Sequence, residues 1–210
     1  MLFKVTPRRK RFYIKEIFEW IFVVGIAFII TLFIISNIGS LTQVKEQSME
    51  PTFIENDRLI INKIGYILGK PKRGDIVILN KVNTEKGLLI NMLNEFNDIK
   101  DNIKYRFTGI IEKNNLIKRV VGIPGDEIDI RDGKVFINGK VEEGYSFKGK
   151  TFGESSLKFP LEIPDGKVFV LGDNREYSLD SRALGFIDYA QLKGKVFLRI
   201  WPLNRIGLVR

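Results

Sequence analysis

The hydrophobic pattern of the chain begins as a solid block. From Trp20 to Val44 no residue is charged, and Trp20 to Ile35 is nearly continuous Ile, Phe, Val and Leu. A stretch of this length crosses the roughly 30 Å hydrocarbon core of a bilayer as one helix. A cleaved signal peptide would have a shorter apolar core, roughly 7 to 15 residues, ending in a small-x-small site. Here the block is longer, and Ser36-Asn37-Ile38-Gly39-Ser40 gives only a weak cleavage pattern. The pattern therefore predicts a retained transmembrane helix over 17–39, after a basic tail over 1–16 and before one domain over 40–210.

Beyond the block the rhythm changes to short Val/Ile/Phe-rich runs separated by turn residues. Leu59–Ile61, Asp75–Leu79, Leu116–Val121, Glu127–Ile130, Val135–Ile137, Val168–Leu171 and Val196–Trp201 read as strands. Asp132-Gly133 and Asn138-Gly139 supply two-residue turn chemistry inside Glu127–Val141, the clearest hairpin signal of the chain. The expected fold is mainly β, an antiparallel barrel-like or sandwich domain after one N-terminal transmembrane helix. One segment has a different period. Leu88, Leu89, Met92, Leu93, Phe96 and Ile99 recur at three- and four-residue intervals, predicting an amphipathic helical excursion near 85–102. Packing on the domain is the expected role of that helix, with contact to the membrane surface as the alternative.

Composition sharpens this picture in two ways. With 210 residues, 44% of them hydrophobic, the chain is long enough for an anchor and one domain with a real core. Its net charge of +9 is spread over the surface without an aromatic–basic stripe, so nucleic acid is not an expected partner. The dense run Arg8-Arg9-Lys10-Arg11 precedes the apolar block, whereas Glu46, Glu50, Glu55 and Asp57 follow it. By the positive-inside rule the N-terminus is cytoplasmic and the domain extracytoplasmic, on a single-pass protein of the cell membrane.

The chain contains no histidine and no cysteine. That excludes Ser-His-Asp triads, Cys-His pairs and disulfides, and most zinc-hydrolase sites. A nucleophilic serine would need lysine as its base. Ser48, in Ser48-Met49-Glu50-Pro51-Thr52, lies just past the apolar block. On a strand over 116–121, Lys118 shares a face with Leu116 and Val120, and Arg119 shares the other with Ile117 and Val121. Lys118 is thus a candidate for burial. An ordinary lysine is only about 0.04% neutral at pH 7, and a useful base needs a depression of roughly three units, which apolar neighbours can supply. Taken alone, Ser48 reads more readily as a linker serine and Lys118 as a strand lysine reaching solvent. The segment Gly172–Arg182 is too polar for a core strand and reads as a loop, in which Asp180 can pair with Arg182 and Ser178 or Ser181 can hydrogen-bond a neutral lysine.

Together these segments resemble type I signal peptidases, membrane-bound Ser-Lys endopeptidases that remove signal peptides from exported proteins. The resemblance runs in order through Ser48-Met49-Glu50-Pro51-Thr52, Gly74-Asp75-Ile76-Val77, Lys118 through Asp126, and Gly172-Asp173-Asn174-Arg175 through Ser178, Asp180, Ser181 and Arg182. It implies Ser48 as nucleophile and Lys118 as general base, with Ser178 hydrogen-bonding the lysine amine and Asp180 and Arg182 supporting the site. It also implies that Met49 lines the substrate pocket and that the Ser48 backbone N–H donates to the oxyanion. The implied partners are signal-peptide-bearing preproteins and the lipid bilayer, with no metal or cofactor.

Two positions depart from the family pattern. Glu46 stands where members carry serine or glycine, and an ionised carboxylate cannot donate a hydrogen bond to an oxyanion, so it is expected to point away from it. The segment from Lys81 to Asn115 is longer than the usual connection. A dedicated Ser-Lys protease with a narrower task and a noncatalytic single-span protein with a basic binding domain remain alternatives at the level of sequence.

Overall fold

The computed structural model describes residues 7–81, 87–108, 115–153 and 157–209. Helix α1 runs from Pro7 to Asn37, and strand β1 (Gly39–Gln43) starts two residues after it ends. A 3-10 turn at Gln47–Met49 leads to β2 (Arg58–Asn62), the short α2 (Gly65–Leu68) and β3 (Ile76–Asn80). Helix α3 (Leu88–Thr108) precedes β4 (Asn115–Gly122), β5 (Glu127–Arg131), β6 (Lys134–Ile137), β7 (Lys140–Val141), β8 (Leu161–Glu162) and β9 (Lys167–Leu171). The chain continues through α4 (Ser181–Leu184), β10 (Ile187–Asp188), β11 (Leu192–Trp201) and β12 (Gly207–Leu208).

Two antiparallel sheets make the body of the molecule, as the alternating runs predict. The larger has the order β1-β2-β11-β3-β4-β9-β10 with β12 beside β11, and the smaller has the order β7-β6-β5-β8. Asp132 and Gly133, and again Asn138 and Gly139, have positive φ, the conformation that two-residue hairpin turns require. Val121, Phe169 and Leu171 of the large sheet pack against Ile128, Val135 and Ile137 of the small one, joining the two layers. Two further clusters fill the large sheet, one around Val77, Leu79, Val120 and Val170 and one around Phe53, Leu59, Ile76 and Val196. Each such side chain contributes about 1.5–3 kcal/mol on burial.

The anchor differs from its expected bounds at both ends. Toward the N-terminus the helix reaches back to Pro7, so Arg8–Arg11 lie on α1, ahead of the apolar span that starts at Lys15. Its other end falls at Asn37, and residues near the end of the uncharged block become β1, with Gly39 paired to Asn62 and Gln43 to Arg58. Ser36 and Asn37 turn their side chains back onto the Phe33 carbonyl, and Lys63 Nζ donates to the Ile35 carbonyl at 2.8 Å, so the last helical carbonyls find partners. Lys15–Asn37 is long and apolar enough to cross a membrane, with a mean hydropathy of 2.6.

The helical excursion is present and is shifted toward the C-terminus relative to its expected span. It ends at Thr108, past Asn102, while Glu85 lies outside the described residues. It is α1 that α3 packs against.

Candidate active site

The 3-10 turn at Gln47–Met49 places Ser48 against β4 of the large sheet. Its geometry is held from the distant loop after β9: Asn174 N–H donates to the Ser48 carbonyl at 3.0 Å, and Asn174 Nδ2 donates to the Gln47 carbonyl at 3.1 Å. Gly172 lets the three segments meet. A side chain there would collide with Ser178 and with the Ser48 carbonyl.

Strand β4 brings the lysine. Lys118 pairs in register with Val77 of β3 and is fully buried, and Ser48 is only 5% exposed. Lys118 Nζ lies 2.7 Å from Ser48 Oγ and donates to the Ile117 carbonyl at 2.8 Å. Burial pushes the amine down from an ordinary 10.5 to about 8, against the carboxylates of Asp180, Glu46 and Asp173, which favour the charged form. At pH 7 roughly 10% of such an amine is neutral, against about 0.04% in water.

Asp180 ties the loop to the sheet. Its carboxylate accepts from the backbone N–H of Gly172 at 3.0 Å and pairs in two-pronged fashion with Arg182, at 2.8 and 2.9 Å. Asp180 is 0% exposed, so the pair is desolvated and each member depends on the other. Ser181 Oγ accepts from the Val170 N–H, joining the same loop to β9.

Two expected contacts are not made. Ser178 Oγ is buried without a hydrogen-bond partner, so the expected bond to the Lys118 amine is absent; the amine is instead directed at Ser48 and the Ile117 carbonyl. Met49 is 1% exposed and packs with Val44, Phe53 and Ile76, which places it in the core and not along an open pocket. Glu46, the extended residue before the turn, is half-buried and near enough for its charge to act on Lys118.

A network behind the pair was not legible from the motifs. Arg119 is buried beside Lys118 and holds Asp173 through Nε at 2.9 Å and Nη2 at 2.7 Å, while Thr52 Oγ1 donates to the same carboxylate at 2.5 Å. Arg175 pairs with Glu142 at 2.7 and 2.8 Å, with both side chains essentially buried. The available signal was a pair of adjacent cations in a strand whose neighbours are apolar on both faces, which leaves little room for both to reach solvent.

A family model for signal peptidase, peptidase S26, matches residues 17–201, from the apolar helix to the end of β11. This chain belongs to the signal peptidase S26 family. It is 35% identical to a probable signal peptidase I-2 of Synechocystis over 184 residues, covering 87% of this chain and 72% of that protein. It is 31% identical to signal peptidase IB of Staphylococcus aureus over 205 residues, covering 90% of this chain and 92% of that protein. A crystal structure of a signal peptidase I from Enterococcus faecalis aligns over 60% of this chain and 96% of that one, with 25% identity and a TM-score of 0.39. Membership in the signal peptidase family makes this chain a peptidase, and α1 fits the membrane anchor of such an enzyme.

Proposed function

We propose that this chain is a membrane-bound endopeptidase that removes N-terminal signal peptides from exported preproteins, with Ser48 as nucleophile and Lys118 as general base. The observation that carries this reading is the 2.7 Å approach of a buried, pKa-depressed lysine amine to a buried serine hydroxyl in a chain without histidine. In the neutral form Lys118 accepts the Ser48 proton as Oγ adds to the carbonyl carbon of the scissile bond. The Ser48 backbone N–H stabilises the oxyanion, an interaction of about 3 kcal/mol in comparable sites. Collapse of the tetrahedral intermediate breaks the C–N bond, and the Lys118 ammonium returns its proton to the leaving amine. A water deprotonated by the same amine then hydrolyses the acyl-enzyme.

Supporting roles follow from the contacts. Asp180, held by Arg182, fixes Gly172 under the Ser48 carbonyl, and Asn174 fixes the turn itself. Ser178 acts through packing against Gly172. The substrate binds as an extended strand with small side chains at the cleavage site, adding its backbone to a sheet edge. The basic run at the start of α1 orients the N-terminus to the cytoplasm and the two sheets to the opposite side.

Purified Ser48→Ala and Lys118→Ala proteins should each lose precursor cleavage while keeping the parent's circular dichroism. An active Lys118→Ala enzyme would remove the dyad.

A further inference from the structure

Helix α3 carries an apolar stripe that no described residue covers. Leu89, Leu93, Phe96 and Ile103 are 75, 64, 48 and 54% exposed. Their spacing of four, three and seven residues puts them on one face of the helix. Lys100 falls in the same stripe, where its four-carbon stem can lie along apolar surface while the ammonium reaches water.

The opposite side of α3 is tied to the end of the anchor. Asn91 Nδ2 donates to Asn37 Oδ1 at 3.0 Å, and Glu95 pairs with Lys63 at 2.7 Å while Lys63 also holds the Ile35 carbonyl. At about 3.6 residues per turn, Asn91 and Glu95 project away from the stripe.

Burial along α1 gives the depth. Leu32 and Ser36, one turn apart on a single face, are buried, whereas the neighbouring Ile29, Ile30, Phe33 and Ile34 are exposed. Helix α3 packs against α1 and meets it at Asn37 directly and at Ile35 through Lys63, beside the last turn of the apolar helix. At about 1.5 Å per residue, Leu32 sits about 7.5 Å below Asn37, a depth at which the surroundings of a membrane anchor are acyl chains and headgroups. The exposed apolar surface of α1 also continues into Ile38 and Leu41, which directly follow it.

We propose that α3 is an interfacial helix, laying its Leu89, Leu93, Phe96 and Ile103 face into the bilayer leaflet nearest the two sheets. The proposal rests on the reading of α1 as a membrane anchor. Its occupant is lipid, because α3 packs on the end of an apolar helix whose own surface is exposed, and the stripe faces away from the groups that tie α3 there.

The chain has no native cysteine, so single nitroxide labels can be placed in the full-length protein without further changes. The labels go at Ile26→Cys in α1 and at Leu89→Cys, Leu93→Cys, Phe96→Cys and Asn97→Cys in α3, all at exposed positions, in a Ser48→Ala background reconstituted into phosphatidylglycerol/phosphatidylethanolamine vesicles. Collisions with oxygen should exceed those with a water-soluble nickel chelate several-fold at 26, 89, 93 and 96, and the order should reverse at 97. Aqueous behaviour at 89, 93 and 96 with lipid behaviour at 26 overturns the proposal and leaves the anchor intact. Aqueous behaviour at 26 removes the anchor and the proposal together. Shielding from both reagents at 89, 93 and 96 assigns the stripe to a protein partner or a second copy, and also overturns it. The Ser48→Ala background keeps every outcome independent of whether the proposed peptidase chemistry is correct.

Discussion

At Lys118 the burial that lowers the amine's pKa also works against the fold. The amine's pKa is about 8 in the folded chain and 10.5 in an ordinary setting. Below pH 8 both states are protonated, and the folded one carries the desolvation cost, about 3 kcal/mol for a shift of this size. Between pH 8 and 10.5 the folded state gives up its proton first, so the unfolded state binds more protons and stability rises with pH. Lys118→Met should therefore unfold at a temperature several degrees higher than the parent at pH 6, and the two melting curves should converge as pH approaches 10.5. Under the proposed function the same titration governs activity, which should increase through an acidic limb near pH 8. Glu46 pulls against this depression by favouring the ammonium. Glu46→Gly should remain active and move the limb to lower pH, read from kcat/KM against pH; an unchanged limb would remove Glu46 from the electrostatics of the site.

Among the elements, the loop from Gly172 to α4 converts sequence distance into precision at Ser48. Asp180 reaches the Gly172 N–H and Asn174 reaches the carbonyls of Gln47 and Ser48, so the loop and the Ser48 turn stand or fall together. Asp180→Ala leaves Arg182 without its carboxylate in a buried setting, a loss of about 3–5 kcal/mol. Chemical denaturation should report that loss, and residual activity should drop further than stability alone requires because Gly172 is released. Much of this level could be read from the chain: the hairpin from β5 to β7 follows from Asp132-Gly133 and Asn138-Gly139, and burial of Lys118 follows from its strand neighbours. Other parts could not. β1 was hidden because its residues extend an uncharged block, and only pairing with β2 makes them a strand. The partners of Arg119 and Arg175 lie 54 and 33 residues away, and an ion pair between distant segments leaves no periodicity in either. The placement of Ser178 and Met49 was not legible for a related reason: a motif names residue types, whereas rotamer and packing decide which atoms meet.

For the molecule as a whole, Lys63 is the joint between anchor and excursion. It is buried between the Ile35 carbonyl at the end of α1 and the Glu95 carboxylate on α3. Lys63→Met should cost about 3 kcal/mol through the unpaired Glu95, and amide exchange should speed up along α3 while the two sheets keep their protection. Uniform loss of protection would instead make Lys63 a general stability residue. The short passage from α1 to β1 has a different consequence. Pairing begins at Gly39, two residues after the helix ends, and Ser48 follows only nine positions later, so the junction contains no slack. Under the proposed function, the enzyme becomes a ruler whose zero mark is the bilayer. A precursor whose scissile bond emerges at the height of Ser48 is cut as it stands, and one with a longer polar spacer must fold its excess chain aside before it can register.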